Sequence, residues 1–108
     1  MQNLDVVGRL FPLILNGEKT STIRWQENQI KTGYMSYINE DTPTQTVVVW
    51  VTKCTDMPLK DVAIYLDKEA EWSDTIMLET MREYYPKIKL DDIIQLIEHL
   101  TPVQTKAL

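Results

Sequence analysis

The chain has little of what most dedicated metal or redox sites are built from. Its 108 residues include one cysteine, Cys54, and one histidine, His99. An internal disulfide is therefore impossible, and a dedicated zinc site, which draws on several Cys and His ligands, is not expected. No apolar run approaches the ~20 residues of a membrane-spanning helix. Met1 to Gly8 lacks the basic and apolar parts of a signal peptide. These absences set the expectation of a cytoplasmic protein without membrane contact, metal or organic cofactor. Lys and Arg are also scarce against the acids, 11 to 16. No basic cluster suits a long nucleic-acid groove, so no extended duplex partner is expected.

At 108 residues and 44% hydrophobic, the chain reads as one domain with a core of its own over 1–108. Its charge is uneven. Residues 1–33 carry four basic and three acidic side chains, and residues 34–108 carry seven and thirteen. A compact pocket for a nucleoside-sized ligand suits this balance better than a long electrostatic surface.

Leu4, Val7, Phe11, Ile14 and Leu15 recur at near-helical spacing, interrupted or started by Pro12. Asn16-Gly17 stops that element. Thr20–Trp25 and Tyr34–Ile38 read as strands. Gln45–Cys54 contains the apolar run Val47-Val48-Val49-Trp50-Val51, which predicts a strand buried on both faces with Trp50 in the core. Pro58 opens a short helix, and a second helix begins near Ser73 or Asp74 and closes at Pro86. Asp92–Leu100 reads as the last strand and 101–108 as a loose tail. Strands joined by turns, with helices inserted late, predict an α+β fold: a small β-barrel of five to six strands with flanking helices.

The densest polar chemistry lies in Gly17-Glu18-Lys19-Thr20-Ser21-Thr22-Ile23-Arg24. Alternate strand side chains share a face, so Thr20, Thr22 and Arg24 are expected together, with Lys19 at the entry. That block, the Lys31-Thr32-Gly33 turn, Glu71-Trp72 before a segment ending Tyr84-Tyr85-Pro86, and Asp91-Asp92 before the final strand together resemble the ASCH family of the PUA-like group. The resemblance spans residues 9–98. It implies a PUA-like β-barrel and recognition of a nucleoside or short single-stranded RNA. Some small bacterial members resemble amidohydrolases of N4-acetylcytidine. Carried onto this chain, their catalytic set is Lys19, Thr22 and Glu71, with Glu69 as the rival carboxylate. Tyr34 stands where the family often has an acidic residue.

In such a site Lys19 would be the base for amide hydrolysis. That requires its pKa to fall from ~10.4 toward ~7–8. Either Thr22 attacks the acyl carbonyl, or Lys19 and Glu71 activate a water; the sequence leaves both open. Thr20, Arg24, Trp25 and Trp72 are the expected ligand-binding residues, the tryptophans by stacking on a base. Each has an ordinary structural reading beside it: Lys19 as a solvated turn residue, Thr22 as a β-branched strand residue, Arg24 as an ion-pair partner, and Glu71 as one of a solvated acidic run. A non-catalytic RNA-binding or regulatory module and a ribonuclease are the alternative functions. No role is assigned to His99, and Cys54 reads as a packing residue.

Overall fold

The structure, a computed structural model, describes residues 1–108. Five strands and four α-helices make up the chain. They are β1 (Gln2–Val6), α1 (Phe11–Leu15), β2 (Ser21–Arg24), β3 (Gly33–Asn39), β4 (Thr46–Pro58), α2 (Val62–Tyr65), α3 (Asp74–Arg82), β5 (Ile93–His99) and α4 (Pro102–Lys106). The strands form one sheet in the order β1-β3-β4-β5-β2. β1 runs parallel to β3, with Leu4 opposite Tyr37, and β3 is antiparallel to β4, with Tyr37 opposite Val47. This is an α+β fold. The chain divides into two compact units. One comprises Met1–Thr22, Gln29–Cys54 and Ile97–Leu108; the other comprises Ile23–Asn28 and Thr55–Leu96.

In the first unit Leu4, Val6, Phe11, Ile14, Met35, Tyr37, Val49, Val51 and Ile97 make the core. Residues 2–6 are a strand, where helical spacing had been expected to begin. Leu4 and Val6 are buried while Asn3 and Asp5 are exposed. That two-residue alternation is satisfied by pairing with β3, and it outweighs the looser helical periodicity. Helix α1 then carries Pro12 in its first turn, where a missing N–H costs nothing. Gly17 turns the chain out of it at φ +83°. A Cβ there would also approach Thr101 Cγ2 to 3.1 Å, so the site favours glycine on two counts.

Three expectations are corrected here. The run 47–51 is not buried on both faces: Val49 and Val51 are core, whereas Val48 is exposed and Trp50 only half-buried. Trp50 is therefore not a core residue. It sits directly across from Tyr34, and the two rings meet edge to face at 4.8 Å between centroids, a cross-strand aromatic pair that shields the outer face. Nor is 101–108 a loose tail. Thr101 accepts the Gln104 N–H while the Gln104 side chain accepts the Thr101 N–H, a complete capping box, with Pro102 at the start of α4. Thr105 Oγ1 then accepts the Trp50 N–H at 2.9 Å and donates to the Thr101 carbonyl at 2.8 Å.

The second unit packs Met57, Leu59, Val62, Ala63, Met77, Met81, Ile88, Ile94 and Leu96. A 3-10 turn, Leu59–Asp61, precedes α2 after Pro58. Asp67, at φ +58°, reverses the chain after α2. Ser73 caps α3 by accepting the Ile76 N–H. Tyr84 and Tyr85 lie beyond the end of α3, where Tyr85 N–H still bonds to the Met81 carbonyl. No helix is long and apolar enough to cross a membrane.

Candidate functional site

Lys19, Thr20 and Thr22 belong to the first unit. The chain reaches Lys19 directly from the Gly17 turn, and the Lys19 N–H bonds back to the Leu13 carbonyl at 2.9 Å. Its side chain is half-buried, and Nζ donates to the Ser21 carbonyl at 2.7 Å. The amine thus lies along the strand entry rather than extending into solvent. Thr20 is exposed and precedes β2; its carbonyl accepts the His99 N–H at 2.9 Å. Thr22 is only 5% exposed.

His99 is a residue to which sequence reasoning assigned no role. It is 5% exposed, and both ring nitrogens are engaged. Nδ1 lies 2.8 Å from the Leu100 carbonyl, and Nε2 lies 2.8 Å from the hydroxyl of the fully buried Tyr37. A carbonyl can only accept, so Nδ1 carries the proton, and Tyr37 donates to Nε2 of the neutral ring. Burial holds the imidazole below its ordinary range, the hydrogen bond to Leu100 pulls the other way, and the charge of Lys19 adds to the lowering. A buried, neutral Tyr–His pair thus stands in the same unit as Lys19, electrostatically coupled to it. Residues 37 and 99 are 62 positions apart, and no local spacing announces their meeting.

Arg24, Trp25, Glu71 and Trp72 belong to the second unit. Gln26, at φ +57°, turns the chain sharply after β2, which brings Arg24 and Glu27 together. Arg24 Nη1 lies 3.4 Å from Glu27 Oε1. Glu27 Oε2 accepts the Tyr85 hydroxyl, and the Trp25 ring meets Tyr85 edge to face at 6.0 Å. Burial, then the bond to Glu27 and its charge, push the Tyr85 phenol up to about 12. Glu27 and Tyr85 were not among the expected site residues. Trp25 and Trp72 are half-buried against the apolar core of this unit. Glu71 is exposed and lies 3.8 Å from Lys68, while the rival Glu69 is exposed as well. No three His, Cys, Asp or Glu side chains converge as metal ligands.

No family model and no curated protein matches the sequence. Solved structures do match. A point mutant of the ZmASCH protein from Zymomonas mobilis superposes with a TM-score of 0.66 at 10% identity, covering 91% of this chain and 67% of the other. A second ZmASCH mutant gives 0.65 and 65% of its chain, so the present chain spans about two thirds of that protein. The ASCH domain from Lactobacillus crispatus JV V101 gives 0.58 at 17% identity, over 84% of this chain and 69% of the other. A protein from Enterococcus faecalis V583 gives 0.58 at 20% identity, over 94% and 81%. These superpositions show that the chain has the fold of an ASCH domain, an α+β architecture.

Proposed function

We propose that this protein recognises a nucleoside or RNA-derived ligand and hydrolyses the amide of N4-acetylcytidine, with Lys19 as the general base. The observation that carries this reading is the state of the Gly17–Thr22 block. Lys19 is half-buried and hydrogen-bonded along the strand entry, three positions before a buried Thr22 and electrostatically coupled to a neutral Tyr37–His99 pair. A solvated turn lysine has none of these features. Desolvation is a route by which a lysine becomes a base near neutral pH.

The burial of Thr22 favours one of the two versions of the chemistry. A hydroxyl in a residue 5% exposed is better placed to orient a partner than to attack a ligand from solvent. In this version Lys19 takes a proton from water as its oxygen bonds to the acetyl carbon. The C–N4 bond then breaks as N4 takes up a proton, and cytidine and acetate leave. The sequence resemblance implies Glu71 as the acid for the departing amine. Thr20, Arg24, Trp25 and Trp72 are the ligand contacts under the same reading. Conversion of N4-acetylcytidine to cytidine by the purified protein, lost in Lys19→Ala and reduced in Glu71→Gln, is the expected result. Full activity in Lys19→Ala would refute the assignment. A fold of this kind hosts unrelated activities, so only the site chemistry decides.

A further inference from the structure

The Arg24–Glu27–Tyr85 group is more ordered than an exposed ion pair needs to be. Each oxygen of the Glu27 carboxylate has its own donor, Arg24 at Oε1 and the Tyr85 hydroxyl at Oε2. The Tyr85 oxygen in turn accepts the Trp25 backbone N–H, so its proton is committed to Glu27. Tyr85 keeps that proton up to about pH 12. With a donor on each oxygen, the Glu27 carboxylate is an acceptor of fixed orientation. An ionised carboxylate offers about four lone-pair sites. The two protein donors use two of them, and 34% of the Glu27 side chain remains open to solvent. The half-buried indole of Trp25, two residues away and locked edge-on to Tyr85, supplies a flat apolar neighbour.

A fixed acceptor edge beside an aromatic plane suits a planar ligand that presents N–H groups in its own plane. We infer that Glu27 is a specificity-determining acceptor for the exocyclic amino group of a cytosine-type base, with Tyr85 as its positioning residue. The inference rests on the nucleoside reading above and adds to it the rule by which one base is chosen. Cytosine directs its N4 amino hydrogens at such a carboxylate, and Glu accepting from cytosine N4 is an established pairing type. Uracil presents O4 at the same position, and its lone pairs face those of Glu27.

The test is equilibrium binding of cytidine and uridine, by calorimetry or NMR titration, to the full chain and to Glu27→Gln and Tyr85→Phe. Wild type is expected to prefer cytidine by roughly 10-fold or more, the discrimination typical of one well-placed base contact. Glu27→Gln places an amide donor within reach of O4 and is expected to bring the ratio to about 1. Tyr85→Phe keeps the ring against Trp25 but frees the carboxylate, and is expected to retain only part of the preference. A cytidine preference that Glu27→Gln leaves unchanged overturns the Glu27 assignment while the nucleoside reading stands. Absence of binding of either nucleoside to wild type overturns both.

Discussion

Tyr37→Phe isolates the buried pair behind Lys19. The substitution keeps the ring, so the fully buried site retains its volume and no cavity opens. It removes one hydroxyl, the donor 2.8 Å from His99 Nε2. Nε2 then lies in a side chain 5% exposed without its partner. Leaving a buried acceptor unsatisfied costs about 1–3 kcal/mol. At ~4 °C per kcal/mol for a domain of this size, the melting temperature should fall by ~4–12 °C. Tyr34→Phe is the matched control: Tyr34 is 48% exposed, and a substitution at such a surface position is expected within ~0.5 kcal/mol of wild type.

The pH dependence gives a second handle on the same pair. The folded imidazole resists protonation, whereas the unfolded one accepts a proton near ~6.5. Its contribution to stability is therefore complete above ~6.5 and is lost as the pH falls below that value, with a slope of up to ~1.4 kcal/mol per pH unit. The Tyr37 hydroxyl bonds to the neutral ring and so favours it. The acid loss should accordingly be shallower in Tyr37→Phe than in wild type. Thermal melts followed by circular dichroism at pH 7.5 and pH 5 measure both effects. A melting temperature within 1 °C of wild type at pH 7.5, with the same acid dependence, would refute the tautomer and donor assignment.

Three further outcomes are expected. In alkaline difference absorbance a tyrosine step near pH 12 should be present in wild type and missing in Tyr85→Phe, and folding stability should decline as the pH rises from ~10 toward that value, because the unfolded phenol ionises first; a wild-type titration that Tyr85→Phe leaves unchanged near 12 would contradict the Tyr85–Glu27 bond. Gly17→Ala combines a left-handed backbone with a 3.1 Å approach to Thr101, and should cost ~1–2 kcal/mol in denaturant unfolding; a neutral result would mean the turn has other ways to close. Thr101→Ala removes the capping box of α4 and should cost ~1 kcal/mol, with faster amide exchange in 103–106.

Local rules carried much of the fold. The Gly17 stop, Pro12 in a first turn, the Ser73 cap and the apolar alternation of β3 are all interactions between residues close in sequence. The ASCH-like block placed β2 and the lysine ahead of it for the same reason. The errors arose where a neighbour distant in the chain decides. Residues 2–6 are a strand because β3 is there to pair with. Trp50 lies on a half-exposed face because Tyr34 covers it. The segment 101–108 is held because Thr105 takes the Trp50 N–H. The capping pattern Thr101-Pro102-Val103-Gln104 was a local sign of that last helix, readable in the sequence. The hydrogen bonds linking Tyr37 to His99 and Glu27 to Tyr85 had no such sign, since each joins residues 58 or more positions apart.

Lys19 is the centre of the proposed chemistry, and the decisive measurement is turnover of N4-acetylcytidine by the purified protein beside Lys19→Ala, with both confirmed as folded. Cytidine release by wild type and its loss, by orders of magnitude, in the variant is the expected result. Equal release from both proteins, or none from folded wild type, would contradict it.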